Sequence, residues 1–156
     1  MTTIRLGIAL LIAVCICLGA AGVGSLLTSP SLGSWYASLA KPRWTPPNWV
    51  FAPVWTTLYL CMAVAAWCVW RNQGFRFPLV LFLIQLGLNV LWSGLFFALR
   101  RPGAAVLEVV FLWAAIFATD VAFWPVSRVA GALMLPYLVW VTFASGLNAA
   151  VWKMNP

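Results

Sequence analysis

Residues 78–99 read PLVLFLIQLGLNVLWSGLFFAL, a stretch without a charged side chain that is followed directly by Arg100 and Arg101. An α-helix needs about 20 predominantly apolar residues to cross the hydrocarbon core of a bilayer. The stretch therefore has the length and composition of one membrane-spanning helix. The two arginines that follow it are expected at the level of the lipid headgroups.

The rest of the chain repeats this pattern. Further apolar runs cover residues 4–27, 48–71, 104–124 and 129–152, and the segments between them are rich in Pro, Gly and basic residues. Only 7% of the 156 residues are charged, against about a quarter in a typical soluble domain. The sequence therefore predicts an all-α integral membrane protein in which one domain forms a bundle of five transmembrane helices. That leaves no room for a soluble catalytic domain.

The first loop, residues 28–47, is the longest connection between predicted helices and reads TSPSLGSWYASLAKPRWTPP. Its Trp and Tyr side chains are expected either at the headgroup level, where such residues are enriched, or folded back over the bundle. The loop is therefore predicted to be structured. The apolar run before it is longer than the 7–15 residues of a usual signal-peptide core, so a retained helix is expected.

Charge and composition exclude several function classes. The net charge is +7, but the basic residues lie at the ends of apolar runs, where they meet lipid phosphates, so we expect no nucleic-acid partner. The chain has no histidine, and its four cysteines lack the usual spacing of metal ligands, so no metal site is predicted. No carboxylate pair is placed for acid–base catalysis. Glu108 and Asp120, near the ends of the fourth predicted helix, are expected to snorkel or to pair with nearby arginines.

Aromatic and polar side chains recur at helical spacing on three of the predicted helices. They are Phe51, Trp55, Tyr59 and Met62 on the second helix, Gln85, Asn89, Trp92 and Phe96 on the third, and Trp140, Ala144, Leu147 and Asn148 on the fifth. Amide groups are left unsatisfied against lipid, so these faces are expected to point into the bundle. The pattern fits either a cavity for a flat, mostly apolar ligand or ordinary packing between helices. Eleven tryptophans in the chain favour the cavity.

A different face of the third predicted helix carries small residues. Gly87, Gly94 and Ala98 lie on the side away from Gln85 and Trp92. Small residues let two helix backbones approach closely. This face is therefore predicted to form either a homodimer contact or a packing contact within one protomer.

Four groups of residues then make a family recognisable. They are Trp35-Tyr36-x-x-Leu39-x-Lys41-Pro42-x-Trp44-x-Pro46-Pro47, Trp55-x-x-Leu58-Tyr59, Gln85-Leu86-x-Leu88-Asn89-x-x-Trp92 with Phe96-Phe97, and Pro136-Tyr137-Leu138-x-Trp140 with Phe143-Ala144 and Leu147-Asn148. In this order and spacing they resemble the TspO family, the tryptophan-rich sensory proteins whose animal members are mitochondrial translocator proteins. The resemblance runs from the first loop to the fifth helix.

The resemblance implies a five-helix fold, often dimeric, with a cavity that binds porphyrins, haem and isoquinoline-type ligands. Family positions tied to the ligand map onto Tyr36, Trp55, Asn89, Trp92, Trp140, Ala144 and Leu147. We therefore expect a membrane-embedded protein that binds and senses tetrapyrroles in a regulatory or stress-related role. Protoporphyrin IX or haem would be a ligand between Trp55 and Trp140 and not an obligatory cofactor, and the first loop would be its lid.

Two alternatives stay open. Some family members promote light- and oxygen-dependent breakdown of protoporphyrin IX, in which case Trp55 and Trp140 would be the catalytic residues as redox partners of the excited macrocycle. The second alternative is a transporter of tetrapyrroles or sterols. The animal proteins carry a cholesterol-recognition pattern at the end of the fifth helix, and the stretch from Leu147 to Lys153 lacks its Tyr, which argues against sterol handling.

Overall fold

The computed structural model describes residues 3–155, and this part of the chain contains helices and no strands. The helices are α1 (Thr3–Leu32), α2 (Trp35–Ser38), α3 (Asn48–Gln73), α4 (Phe77–Ser93), α5 (Pro102–Phe123) and α6 (Arg128–Met154). One turn of π-helix, Gly94–Ala98, extends α4. Within the described residues, five helices are long and apolar enough to cross a membrane: all but the short α2. This confirms the predicted fold class, and the protein is a multi-pass integral membrane protein.

The five long helices form a closed ring. Helix α1 packs against α3 and α4, α3 packs against α6, and α5 fills the remaining place between α4 and α6. The order around the bundle is therefore α1, α3, α6, α5, α4. Because successive long helices run in opposite directions, α1 ends, α3 begins, α4 ends and α6 ends at the same end of the bundle. We call this end, which also carries α2, the lid end.

Local sequence explains where the helices start and stop. Gly74 ends α3 with φ 71°, a left-handed conformation that suits glycine, and its N–H donates to the carbonyl of Trp70 over 2.7 Å. The hydroxyl of Ser127 caps α6 by accepting from the N–H of Ala130 at 3.3 Å. Proline stands in the first turn of α4 and of α5, where a missing N–H costs little.

Helix α1 is longer than the sequence indicated. It continues to Leu32, whereas the apolar run ends at residue 27, so residues 28–32 are helix and not loop. Two of the three polar side chains in this last part are satisfied within the fold. Thr28 donates to the carbonyl of Gly24 at 2.8 Å, and Ser31 donates across to the carbonyl of Phe97, also at 2.8 Å. We call the remaining connection, residues 33–47, the lid.

The π-helical turn changes the small-residue face predicted for the third transmembrane helix. Gly94 opens this turn, and a Cβ placed on it would lie 3.8 Å from the side chain of Leu27, so Gly94 packs against α1 within one protomer. Gly87 and Ala98 are exposed, and a Cβ on Gly87 would meet nothing within 4 Å. The three residues therefore do not form one open face. A dimer contact through Gly87 stays a prediction.

The two acidic side chains do not snorkel. Glu108 is 7% exposed and Asp120 is 9% exposed. Neither carboxylate oxygen of Glu108, nor Oδ1 of Asp120, accepts a hydrogen bond from any residue that the structure describes. The expected pairing of Glu108 with an arginine is wrong, because its side chain points into the bundle and not toward the headgroups.

Candidate functional site

A cavity of about 480 Å³ lies in the lid-end half of the bundle. Its walls come from α1, α3, α4 and α6, and Tyr36 of α2 contributes from the lid. Helix α5 does not line it. The volume falls within the range of about 300–1,000 Å³ that is usual for small-molecule sites. The cavity is therefore large enough for one organic ligand.

All nine residues that were predicted to bind ligand line this cavity. They are Tyr36, Phe51, Trp55, Tyr59, Asn89, Trp92, Trp140, Ala144 and Leu147. Asn148 and Phe96, which belong to the same helical stripes, line it as well. The helical spacing of these residues, together with the family resemblance, thus predicted which side chains form the walls of one cavity. That these residues bind a ligand remains a prediction.

Trp55 and Trp140 touch each other. Their ring centroids are 6.5 Å apart with the planes at 89°, an edge-to-face arrangement. A macrocycle does not fit between two rings in contact, so the expectation of a ligand sandwiched between them is wrong. A flat ligand in this cavity would lie against the pair from the open side. Phe51 extends the aromatic wall, with its centroid 5.9 Å from that of Trp140.

Asn89 is held by two tyrosines below the cavity. The hydroxyl of Tyr59 donates to Oδ1 of Asn89 at 2.7 Å, and Nδ2 of Asn89 donates to the hydroxyl of Tyr137 at 2.8 Å. Tyr137 is fully buried. These bonds join α3, α4 and α6, and they satisfy polar atoms that lipid could not. The amide of Asn89 therefore has a structural task in addition to any contact with a ligand.

A second polar chain fixes the wall formed by α4. The indole N–H of Trp92 donates to Oδ1 of Asn148 at 3.0 Å, and Nδ2 of Asn148 donates to the carbonyl of Pro102 at 3.0 Å. Pro102 begins α5, so the chain connects α4, α6 and α5. It orients the Trp92 ring, which stacks on Phe96 with centroids 5.4 Å apart.

Two buried polar groups at the cavity keep unused hydrogen-bonding capacity. The indole nitrogen of Trp140 is buried and donates to no residue that the structure describes. The hydroxyl of Tyr36 likewise has no protein partner within residues 3–155, and burial raises the pKa of this phenol, so it stays protonated at neutral pH. The ammonium nitrogen of Lys41 lies 4.6 Å from the centroid of the Tyr36 ring. These two donors are available to acceptor atoms of a ligand.

The lid folds back over the bundle. Of the two arrangements expected for the first loop, anchoring at the headgroup level or folding over the bundle, the structure shows the second. The buried ring of Tyr36 packs against Phe96 and Phe97, with centroids 6.2 Å and 5.6 Å away. Trp44 lies edge-to-face on Phe143 of α6 at 5.6 Å. The lid is therefore an ordered cover held by aromatic contacts to α4 and α6.

Two members of the predicted stripes lie outside the cavity. Gln85 is fully buried and directs Nε2 toward the sulfur of Met62 at 3.8 Å, while its Oε1 has no partner among the described residues. Both residues belong to the packed core below Tyr59 and Asn89. Here the interpretation as helix packing is the correct one.

The wall contributed by α1 was missed. It consists of small or hydroxyl-bearing side chains, namely Ala21, Gly22, Gly24, Ser25, Thr28 and Ser29, together with Leu32. Positions 21, 25, 28 and 32 follow helical spacing, which was the available signal. This stripe was not recognised from the sequence because the apolar run ends at residue 27, which placed positions 28 and 32 in the predicted loop.

The described residues offer no metal centre. No group of three or more His, Cys, Asp or Glu side chains in residues 3–155 is close enough to hold an ion. The cavity lining contains neither Cys nor Met, and its two tyrosines are Tyr36 and Tyr59. Because the proton of Tyr59 is held by Asn89, Tyr36 is the one lining phenol without a hydrogen bond and the best placed of the lining residues to ligate an iron atom.

Comparisons with known proteins point to one family. The family model described as TspO/MBR family matches residues 11–153. A tryptophan-rich protein TspO from Chlorobaculum tepidum is 44% identical over 156 residues, covering 97% of each chain. Protein CrtK of Rhodobacter capsulatus is 42% identical over 146 residues, 91% of this chain and 88% of that protein. The human translocator protein is 42% identical over 126 residues, 78% of this chain and 75% of that protein.

Proposed function

This chain belongs to the TspO/MBR family, and on that premise we propose that its cavity binds a porphyrin-type tetrapyrrole and that the protein senses this ligand in the membrane. Family membership and the sensory and translocator names of its relatives support a membrane regulatory or tetrapyrrole-related role. The observation that carries the finer proposal is the aromatic wall of Phe51, Trp55 and Trp140 beside a hollow of about 480 Å³.

Ring faces and apolar burial supply the binding free energy in this proposal. Aromatic contacts of the type that Trp55 and Trp140 offer contribute about 0.5–1.5 kcal/mol each beyond the burial of their area. The macrocycle lies against this pair, and the N–H of Trp140 and the hydroxyl of Tyr36 donate to its carboxylates. The lid closes over the ligand. Sensing then follows because an occupied cavity stabilises the closed lid.

The test is a titration with protoporphyrin IX that follows intrinsic tryptophan fluorescence. The Trp55→Ala, Trp140→Ala double variant is expected to bind about 5- to 150-fold more weakly, from two rings at the magnitude given above. A matched control replaces Trp49 and Trp124, which are 74% and 45% exposed and do not line the cavity. Equal affinity of the two double variants would refute the site. The tryptophans left in each variant still report binding.

The donor set of the cavity also makes a prediction about haem. With no histidine in the chain, neither Cys nor Met in the cavity lining, and Tyr36 as the one lining phenol without a hydrogen bond, iron gains little from axial coordination. Metal-free protoporphyrin is therefore expected to bind at least as tightly as haem in the same titration. Much tighter haem binding would reveal an axial ligand that the cavity lining lacks.

A second candidate function is light- and oxygen-dependent breakdown of the bound porphyrin. It is favoured by the continuous ring contacts from Trp140 to Trp55 and on to Tyr137, whose centroid is 6.2 Å from that of Trp55. Such a chain offers electron donors to an excited macrocycle. Illumination of the protein with protoporphyrin IX in air, followed by the Soret band, decides this point. Bleaching no faster than that of free porphyrin would reject the enzyme.

A further inference from the structure

A second hollow, separate from the tetrapyrrole cavity, lies in the half of the bundle opposite the lid. It has a volume of about 220 Å³ and is formed by α1, the second half of α3, and the start of α4 with Phe75 before it. No residue lines both hollows. We call it the α1–α3–α4 groove. Its position is independent of whatever occupies the cavity under the lid.

The chemistry of this groove suits a hydrocarbon chain. Every side chain that lines it is aliphatic or aromatic. Its volume is below the range of about 300–1,000 Å³ that is usual for compact ligands, so a narrow chain fits better than a ring system. Ile12, Ile16 and Leu83 at its edges are exposed, so the groove opens toward the lipid. Small residues on its floor, such as Ala9 and Ala66, provide its depth.

The headgroup end of the groove carries a positioned arginine. The indole N–H of Trp67 donates to the carbonyl of Leu6 at 2.9 Å, which fixes this ring in the groove wall. The guanidinium carbon of Arg71, one helical turn further toward the membrane surface, lies 4.9 Å from the centroid of the Trp67 ring. Within residues 3–155 the guanidinium donates no side-chain hydrogen bond. Its planar set of donors is therefore free for a phosphate.

The surface charge around this end is basic. Arg5, Arg71, Arg76 and Arg128 are all exposed there. Of the two acidic residues of the chain, one, Asp120 near the end of α5, lies in this half of the bundle, so the charge of this end stays positive. A basic side chain near a membrane surface contributes about 1 kcal/mol to attraction of anionic lipid, which is about fivefold in affinity. The charge thus complements an anionic headgroup.

We propose that the α1–α3–α4 groove is a binding site for one anionic phospholipid. One acyl chain lies in the groove between α1 and α3, and the phosphate is bound by the guanidinium of Arg71 above Trp67. Other basic residues at this end add general attraction, whereas Arg71 is the one whose guanidinium is held over a ring of the groove wall. The site therefore selects a lipid by both its chain and its charge.

The test is native mass spectrometry of the full chain in detergent with equimolar phosphatidylglycerol and phosphatidylcholine of different mass. The wild-type protein is expected to retain one phosphatidylglycerol, several-fold in excess over phosphatidylcholine. Arg71→Gln, an exposed position whose replacement leaves the core intact, is expected to lower this ratio by about fivefold. Arg128→Gln makes the same charge change at the same end but on α6, and is expected to leave the ratio close to wild type.

Two outcomes overturn the proposal directly. One is a wild-type protein that retains the two lipids equally, and the other is an equal loss in Arg71→Gln and Arg128→Gln, which would mean diffuse surface charge without a site. A second variant, Ala9→Phe, tests the groove itself, because the larger side chain fills the space for the acyl chain. It is expected to lower retention of both lipids while the unfolding temperature stays near wild type. A change in the proportion of dimer without a change in bound lipid would identify the occupant as a second copy of the chain and reject the lipid.

Discussion

Asn155 ties the lid to the end of α6, and its replacement tests whether the lid is a closed cover. The N–H of Ala40 donates to Oδ1 of Asn155 at 3.0 Å, and Nδ2 of Asn155 donates to the carbonyl of Ala40 at 2.9 Å. Nδ2 also donates to the carbonyl of Val151 at 2.8 Å, which anchors the side chain on α6. Asn155→Ala removes both links to the lid and is expected to raise the population of the open lid.

The size of this effect follows from the two bonds. A hydrogen bond within a protein contributes about 0.5–1.5 kcal/mol net, so two contribute about 1–3 kcal/mol. Since about 1.4 kcal/mol is a factor of ten, the open population should rise about 5- to 150-fold. Ala40 is exposed, so water replaces part of what is lost, and we expect a value near the lower limit. The aromatic contacts of Tyr36 and Trp44 remain in the variant.

Limited proteolysis with trypsin measures the opening. Lys41 precedes a proline and resists cleavage, so Arg43 is the reporting site in the lid. Cleavage after Arg43 tracks the open population when opening and closing are fast relative to cleavage. Asn72→Ala is the matched control, because the amide of Asn72 donates to the carbonyl of Val126 at 3.0 Å at the opposite end of the bundle. Equal cleavage rates in the two variants would show that the bonds to Ala40 do not hold the lid.

Three further predictions concern the bundle. Asn89→Ala leaves the buried hydroxyl of Tyr137 without its donor and is expected to lower the free energy of unfolding by about 1–3 kcal/mol. The loss is measured as a lower thermal midpoint in detergent. An unchanged midpoint would contradict the role of this polar network. Trp44→Ala removes the contact to Phe143 and should increase hydrogen exchange in the lid, whereas unaltered exchange would count against that contact. Gly87→Leu, at a position with open space around it, should leave the thermal midpoint near wild type but lower the fraction of dimer captured by chemical cross-linking. An unchanged dimer fraction would show that this face is not the dimer contact.

Much of the fold was readable because lipid imposes simple rules on the chain. Backbone groups in hydrocarbon must be satisfied internally, so each long apolar run had to be a helix, and the observed bounds differ from the runs by a few residues in most cases. Asn89 and Trp140 were also predicted correctly to lie on interior faces, since the helical spacing of the aromatic residues and the positions of the amide side chains indicate the same face of each helix. The walls of the cavity on α3, α4 and α6 followed from these faces and from the family resemblance.

The parts that could not be predicted depend on contacts between segments far apart in the chain. Residues 28–32 are mostly polar and include Pro30, which is typical of a loop. They are nevertheless helical, and Ser31 bonds to Phe97 on another helix, a contact that the sequence does not reveal. The π-turn at Gly94–Ala98 is equally hidden, since helical wheels assume a constant 100° per residue. The contact between the rings of Trp55 and Trp140 requires coordinates, because periodicity assigns a face and not a distance.

The wall of the cavity that carries the aromatic rings has few polar groups left with which to recognise a ligand. The side chain of Asn89 and the indole N–H of Trp92 are engaged in bonds that hold helices together. The buried donors left for a ligand are the N–H of Trp140 and the hydroxyl of Tyr36, and the exposed hydroxyls of Ser25 and Ser29 lie on the α1 wall. A largely apolar pocket distinguishes ligands that differ by small apolar groups by only about 10- to 200-fold. Tetrapyrroles that share the flat ring but differ in their peripheral alkyl or vinyl groups should therefore bind within that range. Esterification of the propionates should cost more, because charged oxygens are the acceptors that N–H and O–H donors such as those of Trp140 and Tyr36 hold most strongly. Comparison of protoporphyrin IX, mesoporphyrin IX and the dimethyl ester of protoporphyrin IX in one fluorescence titration separates these effects. A larger difference between the two free acids than between acid and ester would mean that shape, and not hydrogen bonding to the propionates, selects the ligand.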